Sequence, residues 1–108
     1  MKRRLLILSR AEADFEDHFA YLAENADFET AQRFEKEVFA SFDLLLERPL
    51  IGREREYLSD SNLQIRTWFV KGFPNVIFYR INGEIIEVIR MLHSSRDTEN
   101  IVREEEID

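Results

Sequence analysis

The sequence predicts an α+β domain of order β-α-α-β-β-β, an antiparallel sheet packed against an N-terminal helical hairpin. Three observations predict it. Asn82-Gly83 separates two runs dense in Val, Ile, Phe and Tyr, and Asn-Gly is the strongest short hairpin signal because a type I′ turn needs φ > 0 twice. Upstream, two long stretches repeat apolar residues at helical spacing. Between the two regimes stands Arg48-Pro49, where the residue before proline is pushed out of the α region.

In chain order, Lys2–Leu8 reads as a first strand. Ser9-Arg10-Ala11-Glu12 then fits a capping box, in which Ser hydroxyl and Glu carboxylate satisfy N–H groups of the first turn reciprocally. Ala11, Phe15, Phe19 and Leu22 form one apolar stripe down this helix, with His18 at its boundary. Asn25-Ala26-Asp27 breaks it, and a second helix follows over Phe28–Glu47 with Asp27 as N-cap. Its stripe is Ala31, Phe34, Val38, Phe42 and Leu45, widened by Phe39 and Leu46. Pro49–Asn62 reads as a loop of alternating charge, and Leu63–Phe69 as a half-buried strand with Leu63, Ile65, Thr67 and Phe69 on one side. Gly72-Phe73-Pro74 connects it to the hairpin, where Ile77, Tyr79 and Ile81 share one face and Ile86, Val88 and Arg90 share a face of the return strand. The whole is one domain, 1–108, with 98–108 an acidic tail.

Composition narrows function. The chain has 108 residues, no cysteine and a formal charge of -7, so thiolate chemistry is excluded and a general nucleic-acid binder, which needs a basic surface, is disfavoured. No apolar run approaches the ~18 residues of a membrane span, and a cytoplasmic setting is expected. The acid is concentrated in the helices and tail, whereas 48–97 is mildly basic, so an anionic partner belongs on the sheet half. Neither metal nor nucleotide cofactor is expected. His18 and His93 show no ligand spacing, and the three glycines build no phosphate-cradling loop.

The element order and several segments together resemble the RelE/ParE toxins of type II toxin-antitoxin modules, the ParE-like branch in particular, also called plasmid stabilisation proteins. The segments are Ser9-Arg10-Ala11-Glu12-Ala13-Asp14-Phe15, Pro49-Leu50-Ile51-Gly52-Arg53, Arg66, Ile77-Phe78-Tyr79-Arg80 and Ile86–Asp97. The resemblance implies a poison that binds DNA gyrase and traps its covalent complex with cleaved DNA, neutralised by a cognate ParD-like antitoxin whose segment folds as it wraps the toxin. No catalytic residue is then required. The alternative within the superfamily is a RelE-like ribosome-dependent mRNA endonuclease, which needs donors for developing phosphate charge and a proton-transfer group. Arg66, Arg80 and His93 are its candidates, with Glu87 a second proton-transfer group. A third alternative is a non-toxic relic or binding module of the same fold.

Target-binding candidates are Arg53, Arg55, Arg66, Arg80, Arg90 and Arg96. Each has a plainer reading: Arg80 opposite Glu84 or Glu87 makes a cross-strand ion pair, and Glu54 and Glu56 cancel much of the field of Arg53 and Arg55. Antitoxin-binding candidates are Asp14, Asp17, Glu24, Phe28, Glu35 and Asp43, with Glu16, Phe39 and Leu44 beside them. Phe39 is expected to complete the core. The acidic tail, Thr98–Asp108, is a candidate for target inhibition or a solvated run of charge.

Overall fold

The computed structural model describes residues 2–56 and 64–94. Its elements are β1 (Arg4–Ile7), α1 (Ser9–Asn25), α2 (Phe28–Glu47), β2 (Arg53–Glu54), β3 (Ile65–Phe69), β4 (Asn75–Asn82) and β5 (Ile85–His93). The helices and the meander of β3, β4 and β5 lie where the periodicities put them. One two-residue strand, β2, was not expected. It adds to β3 from inside the segment read as a loop.

The sheet order is β1-β5-β4-β3-β2. The meander is antiparallel, but β1 joins β5 in parallel, with Leu5 opposite Ile86. A parallel partner requires a long connection, and here the helical hairpin and then β2, β3 and β4 lie between β1 and β5. That hairpin lies over one face of the sheet. Phe34, Val38, Phe42 and Leu45 are buried there with Ile77, Tyr79, Ile86 and Val88; a fully buried side chain of this size contributes about 1.5–3 kcal/mol. The opposite face holds a second buried cluster of Ile65, Val76, Phe78, Ile89 and Leu92. Both faces of the meander therefore carry buried apolar clusters, the second more completely than the partly apolar face the alternation suggests.

Four local details depart from expectation. Ser9 is the first helical residue and Leu8 the N-cap, with no side-chain capping bond; the capping box does not form because the helix starts one residue early, and Glu12 N–H goes to the Leu8 carbonyl. The hairpin loop is Gly83-Glu84, since Asn82 still pairs with Ile85. Of these two loop residues only Gly83 has positive φ, at 62°, the requirement of a type II′ turn at its first central residue. A β-bulge between Phe78 and Tyr79 leaves Ile89 extra on β5, which changes the phase of the strand: Met91, not Arg90, joins Val88 under the helices. Finally, Phe69 is 55% exposed and Phe39 50% exposed, so neither completes the core.

Asp27 caps α2 as expected, its Oδ1 accepting from Thr30 N–H. Hydrogen bonding from the Thr30 side chain, and then from its N–H, holds the Asp27 carboxyl below the usual carboxylate range. The stabilisation is present above the ordinary aspartate pKa and is lost as pH falls through the lowered one. Asp27→Ala should therefore melt at a lower temperature than wild type near neutral pH, with the gap closing in acid. A gap that persists unchanged at low pH would show that the carboxylate is not the stabilising group.

Candidate functional site

Most of the sequence-predicted arginines are held by structural partners. Arg80 Nε donates to Glu87 Oε1 at 2.7 Å across directly paired positions of β4 and β5. Arg90 grips Asp14 with two bonds, Nε to Oδ2 at 2.8 Å and Nη2 to Oδ1 at 2.9 Å, while Met91 N–H also donates to Oδ2. Both side chains of that pair are almost buried, at 11% and 12% exposure. It ties α1 to β5.

Arg66 and Tyr79 clamp the loop after α2. Arg66 Nη1 donates to the Gly52 carbonyl at 2.9 Å. The Tyr79 hydroxyl donates to the Pro49 carbonyl at 2.7 Å and accepts from Gly52 N–H at 2.9 Å. Burial raises the Tyr79 phenol above its ordinary pKa, so it stays a donor throughout the neutral range. Nothing in the sequence near Tyr79 signals this partnership, 27 residues away. Arg55 Nε donates to Thr67 Oγ1 at 3.0 Å, and Arg53 is exposed. Arg96 and the acidic tail lie outside the described residues.

The three residues proposed for RNA cleavage are not brought together. Arg80 lies opposite Ile65 at one end of β4, whereas His93 lies opposite Asn75 at the other. Five residue steps of extended strand separate Asn75 from Arg80, roughly 17 Å. Arg66 is engaged with the loop carbonyl, and Glu87 with Arg80. The sheet thus carries no assembled acid-base constellation among its described residues.

What it does carry are two concave surfaces beside α1. One is an apolar groove of about 260 Å³ lined by Ile7, Phe15, Phe39, Phe42 and Met91, with Glu12 and Glu16 on its walls. Phe15 stacks on Phe39 with ring centroids 6.1 Å apart. The other is a polar pocket of about 200 Å³ between α1 and the ends of β4 and β5, where His18 faces His93 across 6.5 Å. Burial, and then the neighbouring His93, lower the His18 pKa. Asp14, Asp17, His18 and Tyr21 line it from α1, and their i, i+3, i+4, i+7 spacing was the sequence signal that could have revealed a second face on that helix. Of the remaining antitoxin-binding candidates, Phe28 is 59% exposed, Glu24 and Asp43 are exposed, and Glu35 and Leu44 are half-buried. No helix among the described residues is long and apolar enough to cross a membrane.

A family model described as the ParE toxin of the type II toxin-antitoxin system, parDE, matches residues 5–98. Among curated proteins the chain is similar to Toxin ParE1 of Caulobacter vibrioides, 31% identical over 86 residues, which cover 80% of this chain and 83% of that protein. Among solved structures it is similar to a chain of the chromosomal ParDE TA system from P. aeruginosa, with a TM-score of 0.70 and 18% identity over 85% of this chain and 96% of that one. At that identity the likeness establishes the fold. On the family model and the curated relative, the chain belongs to the ParE toxin family of type II toxin-antitoxin systems.

Proposed function

We propose that this protein acts in the cytoplasm as a binding poison of DNA gyrase, held inactive by a ParD-like antitoxin that covers the α1–α2 side of the molecule. The observation that carries the non-catalytic reading is the dispersal of Arg66, Arg80 and His93, with Arg66 and Arg80 bound to partners of the same chain. General acid-base catalysis needs its groups within hydrogen-bond reach of one substrate, a condition these residues do not meet. The antitoxin reading draws on the apolar groove around Phe39 and on the acid beside it. An amphipathic segment can lay apolar anchors into such a groove and place its basic residues against Glu12 and Glu16.

The test is gyrase supercoiling and cleavage-complex formation with the purified chain, with and without antitoxin. Linear DNA should accumulate in the presence of the chain and disappear when antitoxin is added. Unaltered gyrase activity, together with loss of message in cells expressing the chain, would replace this reading with ribosome-dependent cleavage.

A further inference from the structure

We propose that the polar pocket between α1 and the ends of β4 and β5 seats the guanidinium of an arginine carried by the antitoxin. This inference rests on the antitoxin reading above and adds the chemistry by which one side chain is recognised.

The pocket offers acceptors and aromatic surface. Asn75 is 1% exposed and lines it, and its Oδ1 is buried with no hydrogen-bond partner. A buried amide oxygen left unpaired costs free energy that a donor from outside would recover. Asp17 lines the pocket from an exposed position on α1. Asp14 is already committed to Arg90 and Met91 N–H, so that pair is neutral in sum and Asp17 sets the local charge. The rings of His18 and Tyr21, stacked with centroids 5.7 Å apart and planes 22° apart, both line the pocket and border it with aromatic surface. His18, with its lowered pKa, opposes no incoming positive charge at neutral pH.

A guanidinium answers each of these features. It is planar, donates through five N–H groups, accepts nothing and stacks on aromatic faces. An ammonium matches the charge but neither the plane nor the fork. A metal ion is a poorer match, because no group of three His, Cys, Asp or Glu among the described residues is placed to hold one. The location also suits a wrapping segment, since α1 borders both this pocket and the Phe39 groove.

The experiment is a double-mutant cycle by titration calorimetry on the full chain and its cognate antitoxin. On the toxin side Asp17→Asn is compared with Glu29→Gln, an exposed acid of α2 outside the pocket; on the antitoxin side each arginine is replaced in turn by glutamine. Asp17→Asn should weaken binding by about tenfold or more, as loss of a charge-assisted contact does, and Glu29→Gln by much less. One antitoxin arginine should show a similar loss against wild type and little further loss against Asp17→Asn. If Asp17→Asn behaves like Glu29→Gln, or if no arginine couples to it, the pocket assignment is overturned while the antitoxin reading stands. If wild-type toxin does not bind the antitoxin at all, the antitoxin reading fails and the assignment fails with it.

Discussion

Asp14→Ala should lower the unfolding free energy by about 3–5 kcal/mol, the cost of breaking a buried ion pair by removing one of its members. Asp14 satisfies three donors, Arg90 Nε, Arg90 Nη2 and Met91 N–H, and both charged side chains are nearly removed from water. Truncation removes both carboxylate bonds of Arg90 and the acceptor of the Met91 N–H in the same step. Urea denaturation of wild type, Asp14→Ala, Arg90→Met and the double variant resolves the pair from its surroundings. The double variant should be less destabilised than the two single losses added together. A loss under about 1 kcal/mol for Asp14→Ala would place the pair with exposed surface bridges and remove it as the tie between α1 and β5.

Gly52→Ala is the second large effect, at about 2–4 kcal/mol from overpacking and a broken hydrogen bond together. A Cβ at this position would run into the Tyr79 hydroxyl, and would stand 2.7 Å from the Tyr79 ring and 2.9 Å from the Thr67 carbonyl oxygen. Relief would require Tyr79 to move, and Tyr79 is fully buried. Its hydroxyl would then release Pro49 and Gly52 together. Tyr79→Phe removes the oxygen in conflict, so Gly52→Ala should be milder in that background than in wild type, although Tyr79→Phe alone leaves two backbone groups short of a partner. Thermal unfolding of the four proteins checks this. Equal cost of Gly52→Ala in both backgrounds would show that the clash lies with the ring carbon or the Thr67 carbonyl rather than with the hydroxyl.

These two positions illustrate what was legible in the sequence. The α2 stripe was readable in full, because Ala31, Phe34, Val38, Phe42 and Leu45 obey one period along one element, and periodicity is a local property. Asp27 was readable for the same reason: its cap bond spans three residues. The partners of Arg90 and Tyr79 were not, since they are brought from 76 and 27 residues away by a bulge and a loop that carry no local signature. The bulge at Ile89 also shifted a phase that simple alternation could not foresee, which is why Met91 replaced Arg90 under the helices. Arg80 was legible in its plainer reading as an ion pair with Glu84 or Glu87, and the Gly83-Glu84 loop, shifted by one residue from Asn82-Gly83, selects Glu87. The polar pocket was missed because His18, Asn75 and His93 are unremarkable in their own segments and gain meaning only from juxtaposition.

The parallel pairing of β1 with β5 also sets an order of events during synthesis. Arg4–Ile7 leaves the ribosome ahead of the helices and the other strands, yet its partner begins at Ile85. At about 5–20 residues per second, roughly 4–16 s pass before that partner exists. The helical hairpin rests on contacts close in sequence and can form meanwhile, but the first strand spends the interval with an unsatisfied edge. The nascent toxin is thus a helical pair without a sheet until its last strands emerge. An antitoxin made beforehand would meet the helices before the sheet has closed beneath them.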